Sequence, residues 1–281
     1  MTLFDAAPPR RLHPARAGAI VALIGLLLWS GSAACLWTNE SWLVFQARRS
    51  RFRSLAPAEG VIQLRTADGI ELDALRLSRD TAAAYWILYC LPSGATIHGR
   101  VRRHLQSLHA AGYNVLAFDY RGFGRNRGVP SENGVYEDAL TAYRYLTGEV
   151  NVPPERIILA GRSLGSAVAV ETATRVPSGG LLLFSAIDSV PLTASRLYFW
   201  MPVGLLASQR FDSLAKASRV TVPVVQVHSP KDWLVPLDAA HALFDRFPGR
   251  KAMLELPGRH NDVGVGGDAL ARTLGEFWPT R

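Results

Sequence analysis

The 281 residues are 48% hydrophobic and 19% charged, enough to fill a sizeable core and unlike a disordered chain, a collagen-like repeat or a disulfide scaffold. The formal net charge of +8 is unevenly placed: residues 1–53 hold seven arginines against Asp5 and Glu40, and the basic residues beyond them are scattered without an aromatic-interleaved stripe, so no nucleic-acid partner is expected. Cys35 and Cys90 have neither metal nor redox spacing, and no structural disulfide is expected.

Residues 1–16 form a basic tail carrying Arg10, Arg11 and Arg16. From Ala17 to Thr38 no residue is charged, and Ala19 to Trp29 is apolar all round, which at 1.5 Å per residue crosses a hydrocarbon core of about 30 Å. Trp37 and Trp42 stand where an interfacial belt would lie, and Arg48, Arg49, Arg51 and Arg53 follow in a basic juxtamembrane linker at 39–56. The pattern predicts a single-pass transmembrane anchor at 17–38. A signal peptide cleaved near Ser32-Ala33-Ala34 and lipidation at Cys35 are the alternatives. The arginines ahead of the span lie closer to it than those behind, which places the folded domain on the outer, extracytoplasmic side.

A folded domain is expected over 57–281. Val61–Arg65 and Ile70–Leu77 flank Ala67-Asp68-Gly69, a hairpin signal. Strands are then predicted at 85–90, 114–119, 156–160, 180–184, 223–228 and 252–256, alternating with helices near 99–111, 135–147, 164–175, 238–247 and 267–278. Eight strands, the last six linked by helices, predict a mostly parallel sheet covered on both faces. A closed (β/α)₈ barrel is the competing architecture, disfavoured by the opening hairpin. Gly122, Gly124 and Gly128 resemble a loosely spaced dinucleotide fingerprint, but no helix opens on them. No cofactor is expected, and no metal, since no His/Cys/Asp/Glu cluster has ligand spacing.

The chemical signal is Gly161-Arg162-Ser163-Leu164-Gly165, between the apolar run Arg156–Ala160 and the small-residue run Ser166–Val170. A nucleophile on a sharp strand-to-helix turn needs small neighbours two positions away on either side, here Gly161 and Gly165. A serine hydroxyl needs a base, and the base needs an acid to hold its tautomer. His260 follows the last predicted strand and is the candidate base. Asp232 follows the strand at 223–228 and is the candidate acid, with Asp262, Asp238 and Asp188 as alternatives. His228 ends a strand and reads as a structural histidine.

Asn114-Val115-Leu116-Ala117-Phe118-Asp119-Tyr120-Arg121-Gly122-Phe123-Gly124, Gly161–Gly165, Arg210-Phe211-Asp212-Ser213-Leu214, the Asp232 loop ending Val235-Pro236 and His260-Asn261-Asp262 occur in order. With them the chain from about Gln46 onward resembles an α/β-hydrolase, specifically the membrane-anchored serine hydrolases of the abhydrolase-domain group, related to serine-aminopeptidase-type hydrolases. The resemblance implies the α/β-hydrolase fold, nucleophile Ser163, acid Asp232 and base His260. It also implies backbone N–H donors to an oxyanion from Ser93 and Leu164. Where the family usually has His-Gly this chain has Leu91-Pro92, and Pro92 has no N–H to give. Arg259 likewise stands before the base, where a small residue is common. An insertion at about 185–220 contains Phe199 and Trp200, read either as an apolar lid or acyl-binding wall or as a helix packed on the sheet edge. The expected substrate is a small acyl ester, thioester or lipid, beside a membrane held by the N-terminal helix. The alternatives are a serine aminopeptidase and a catalytically weakened membrane-tethered binding protein.

Overall fold

The computed structural model describes residues 14–47, 59–79, 84–264 and 268–280. The chain divides into two units after Asn39. In the first, the uncharged run becomes helix α1 (Pro14–Thr38), whose Leu26, Leu27, Leu28 and Trp29 all lie open to solvent. Gly18–Thr38 is long and apolar enough to cross a membrane by length and composition.

The second unit starts with α2 (Glu40–Phe45). The sequence assigns these residues to the linker at 39–56, but the fold takes them in. Phe45 is fully buried with its ring 5.8 Å from Phe211, and the Glu40 carboxylate accepts from the N–H groups of Ser208 and Gln209. Residues 48–56 of that expected linker lie outside the described residues.

Eight strands form one sheet: β1 (Val61–Arg65), β2 (Glu71–Leu77), β3 (Trp86–Cys90), β4 (Asn114–Phe118), β5 (Ile157–Arg162), β6 (Gly180–Phe184), β7 (Val224–His228) and β8 (Lys251–Glu255). Their spatial order is β1-β2-β4-β3-β5-β6-β7-β8, with β2 antiparallel to both its neighbours and every other pair parallel. The sheet is open, with β1 and β8 as edges, which removes the closed-barrel alternative. Strands β3 to β7 are buried along their whole length, as unbroken apolar runs such as Ile157-Ile158-Leu159-Ala160 require when both faces are covered. Gly69 turns the opening hairpin at φ 82°, a conformation that suits glycine.

Helix α3 (Gly99–Ala110) links β3 to β4, α4 (Glu132–Arg144) links β4 to β5, and α5 (Leu164–Arg175) links β5 to β6. The step from β3 to β4 runs in the opposite direction along the sheet from the steps that follow. Right-handed crossovers therefore put α3 on one face and α4 and α5 on the other. The insertion contributes α6 (Val190–Leu197), α7 (Val203–Leu206) and α8 (Ser213–Lys216), and α9 (Leu237–Arg246) and α10 (Asp268–Phe277) complete the unit. The reversal leaves a crevice beyond the carboxyl ends of β3 and β5, where open α/β sheets bind ligands.

Candidate active site

Strand β5 ends at Arg162 and α5 begins at Leu164, so Ser163 alone makes the turn between them. It does so at φ 52°, ψ −121°, a strained conformation for a residue with a side chain. Its N–H is tied to Phe184 O at 3.0 Å. The flanking glycines are demanded by backbone, since a Cβ on Gly161 would stand 2.0 Å from Gly165 O and one on Gly165 would stand 2.1 Å from Cys90 O.

The turn aims Ser163 Oγ at His260 Nε2, 2.8 Å away. On the far side of the ring, His260 Nδ1 lies 2.8 Å from Asp232 Oδ2 and 3.0 Å from Oδ1. A carboxylate only accepts, so Nδ1 carries the proton and Nε2 is left to accept from the serine hydroxyl. Asp232 Oδ1 also accepts from the N–H groups of Leu234 and Val235 at 2.9 and 3.0 Å. Burial opposes ionisation of this carboxyl, but the bond to His260 and the two amides hold it below the usual carboxylate range. All three side chains are buried. The other candidate acids are engaged elsewhere: Asp188 pairs with Arg196 and Asp262 with Arg100, while Asp238 Oδ1 accepts from Ala239 N–H.

His228 is structural, as its strand-end position suggests. Its Nε2 donates to Val235 O at 3.0 Å, bracing the Asp232 loop, and burial pushes its pKa down so that the ring stays neutral.

Arg162 is the site residue that sequence reasoning misses. Its guanidinium is buried and donates to Val263 O at 2.7 Å and His260 O at 3.3 Å, and it lies 5.0 Å over the Phe184 ring. Ser185 Oγ adds a second donor to His260 O at 2.8 Å. The residue beside the nucleophile thus tethers the loop that carries the candidate base. The available signal was a lone arginine at the end of a wholly apolar strand. Arg259, singled out for its position before the base, is exposed instead.

Leu164 is the first residue of α5, so its N–H has no carbonyl one turn back within the helix. Ser93 lies in the loop after β3, and no protein acceptor takes its N–H among the described residues. That loop is clasped by the last two residues of α2: Ser93 Oγ donates to Val44 O at 2.7 Å, and Gly94 N–H donates to Phe45 O at 2.9 Å. A cleft of about 900 Å³ opens beside it, lined by Ser93, Arg162 and Asn261 among others. Phe199 and Trp200 do not line this cleft; they follow α6 at the surface, Phe199 86% exposed.

The family model for serine aminopeptidase, S33, matches residues 86–211. An uncharacterized protein of Mycobacterium tuberculosis is 31% identical over 257 residues, covering 89% of this chain and 90% of that protein. Alpha/beta hydrolase domain-containing protein 17B of Xenopus laevis is 29% identical over 221 residues, 74% of this chain and 75% of that one. Among solved structures, an esterase of Pyrococcus furiosus superposes with a TM-score of 0.65 at 18% identity, covering 81% of this chain and 95% of the esterase. Est1E from Butyrivibrio proteoclasticus, solved with ferulic acid bound, gives 0.64 at 18% identity over 77% of this chain and 97% of its own.

Proposed function

Because the chain belongs to the α/β-hydrolase superfamily and is an esterase-like hydrolase, we propose that it is a membrane-anchored serine hydrolase acting on acyl esters or thioesters. The observation that carries this reading is the unbroken hydrogen-bonded chain Ser163–His260–Asp232. In the first step His260 Nε2 takes the proton from Ser163 Oγ as the oxygen attacks the substrate carbonyl. Asp232 holds the ring in the required tautomer and stabilises the imidazolium that forms. The N–H groups of Ser93 and Leu164 receive the developing oxyanion, a donor typically contributing about 10² to 10³ in rate. His260 then gives its proton to the leaving alcohol or thiol, and a water activated by the same ring hydrolyses the acyl-enzyme. Pro92 removes a donor one position away from Ser93 and leaves this pair intact, which favours an active enzyme over a tethered binding protein.

The aminopeptidase alternative needs an acidic group free to bind a substrate amine. Glu132 instead accepts from the N–H groups of Arg210 and Phe211, Asp188 is paired with Arg196, and Glu137 faces Arg144 and Arg175. Esters and thioesters are therefore the preferred class. Helix α1 serves as the anchor in this reading, and the arginine distribution supports an extracytoplasmic catalytic unit.

The test uses the full chain in detergent. A fluorophosphonate probe should label the wild type and leave Ser163→Ala unlabelled; equal labelling of both would remove Ser163 as nucleophile. A panel of short- and long-chain p-nitrophenyl esters, an acyl thioester and aminoacyl-naphthylamides then separates the substrate classes. Turnover of the amides alone would favour the peptidase.

A further inference from the structure

The turn that carries Ser93 has little of its own to hold it. Pro92 brings no N–H, and the bond that closes the turn, from Ala95 N–H to Pro92 O, is long at 3.3 Å. An oxyanion donor must nevertheless point to one place, because a displacement of about 1 Å typically costs on the order of 10² in rate.

The missing rigidity comes from α2. A helix leaves the carbonyls of its last turn without donors of its own, and α2 stops at Phe45, with Gln46 turning away at φ 51°. Val44 O and Phe45 O accept instead from Ser93 Oγ and Gly94 N–H. Two bonds to consecutive residues fix the direction of the turn as well as its place. The approach is close, since a Cβ on Gly94 would stand 3.2 Å from Gln46 Cβ.

Helix α2 is itself held at both ends. Phe45 is buried against Phe211, whose ring lies 5.5 Å from that of Tyr136 on α4. At the other end Glu40 accepts from the N–H groups of Ser208 and Gln209 at 2.7 and 2.8 Å. Glu132, the first residue of α4, takes the next two amides, those of Arg210 and Phe211, at 2.6 and 2.9 Å. Two carboxylates therefore pin four consecutive amides by charge-assisted bonds, which are stronger than neutral ones. A bonded path runs from α4 through residues 208–211 and α2 to Ser93.

We propose that α2 positions the oxyanion donor of this enzyme, with Ser93 Oγ and the distant Glu40 as positioning residues for the reaction. The inference rests on the serine-hydrolase reading and extends its machinery beyond the triad, into a segment that precedes the sheet. The amide it fixes is needed most when the carbonyl oxygen becomes negative, so its misplacement costs turnover more than substrate binding.

Variants of the full chain in detergent test this. Glu40→Ala frees the far end of α2, Glu40→Gln keeps an acceptor for the two amides, and Ser93→Ala removes the hydroxyl but keeps the N–H. Each is assayed for hydrolysis of a p-nitrophenyl ester and for inhibition by an aryl trifluoromethyl ketone, whose adduct with Ser163 carries an oxyanion. Glu40→Ala and Ser93→Ala should each lower kcat about tenfold, the scale of one lost hydrogen bond. Acylation and deacylation both pass through an oxyanion, so KM should stay within about twofold, while Ki for the ketone rises by the factor that kcat/KM loses. Glu40→Gln should recover most of the loss. The double variant Glu40→Ala, Ser93→Ala should lose less than the product of the single losses, because both act through one loop. Ser107→Ala, which removes a hydroxyl-to-carbonyl bond of 2.7 Å on α3, should keep the wild-type kcat. Urea unfolding of the same proteins reads stability separately. Glu40→Ala and Ser93→Ala that lower the unfolding midpoint but leave kcat and Ki within about twofold of wild type would make α2 merely structural and overturn the proposal. A loss that falls on KM alone, or single losses that multiply fully in the double variant, also overturns it. A wild type that takes no fluorophosphonate and turns over no ester would instead refute the serine-hydrolase reading, and the proposal would fall with it.

Discussion

Replacing Arg162 by methionine would separate the roles of fold and site at the nucleophile turn. The guanidinium donates to two carbonyls, but they are not equally dependent on it. His260 O retains Ser185 Oγ as a donor, whereas Val263 O loses the 2.7 Å bond from Arg162. The thermodynamic loss is then that of one buried acceptor left unmade, about 1–3 kcal/mol, partly offset because methionine carries no charge into the core. The kinetic loss should be larger. The two tethered carbonyls lie at His260 and three residues beyond it, and a displacement of the base by about 1 Å typically costs on the order of 10² in rate. Urea unfolding should report the first quantity and kcat for a p-nitrophenyl ester the second. Arg162→Lys, a single point donor without the planar fork, should fall between wild type and methionine in kcat. A methionine variant with the expected stability loss but a kcat within about threefold of wild type would refute the reasoning, reducing Arg162 to a structural residue.

Asp232→Asn should lower kcat by about 10⁴ while leaving the unfolding midpoint close to wild type, because an amide can satisfy the opposite tautomer of His260. Gly165→Ala should yield little folded protein in an expression and solubility assay, since the added Cβ meets the backbone of Cys90 and Leu91, which no side-chain rotation can relieve. Asp119 has its pKa raised by burial to about 7, with the nearby Asp73 adding to the effect against the Ile97 N–H bond. A carboxyl raised in the folded state binds more protons there than when unfolded, so its contribution to stability is full below about pH 4 and lost as pH rises through about 7. Asp119→Asn should flatten that part of the pH–stability curve in urea melts; an unchanged slope would exclude Asp119 as its source.

What could be read from the chain itself follows the range of the interactions involved. Strand β5 and its turn are encoded locally, by Ile157–Ala160 running into a glycine-flanked serine, and were visible without a structure. The candidate acid and base could be placed because each follows a strand in a parallel sheet, where loops at the carboxyl ends converge. The pairing of β2 with β4 rather than β3 was not visible, since adjacency in a sheet depends on partners far apart in sequence. Glu40–Phe45 reads as linker for a related reason: the burial of Phe45 depends on Phe211, and the Glu40 bonds depend on Ser208 and Gln209. Arg162 eluded pattern reasoning because its acceptors are carbonyls, which every residue has. Phe199 and Trp200, aromatic and placed in an insertion, left open a wall over the site or a helix on the sheet edge, and they follow α6 at the surface.

The clasp on the Ser93 loop bears on what a break between α1 and the folded unit would do. Val44 O and Phe45 O hold that loop from a position only a few residues after α1 ends. A cut just after Ala47 would leave both acceptors on the α1 side of the break, held to the domain only by the packing of Phe45 and the Glu40 bonds. Were that packing to give way, the remaining domain would keep its sheet but lose the two bonds that fix the Ser93 loop. A cut before Glu40 would instead leave the clasp in place.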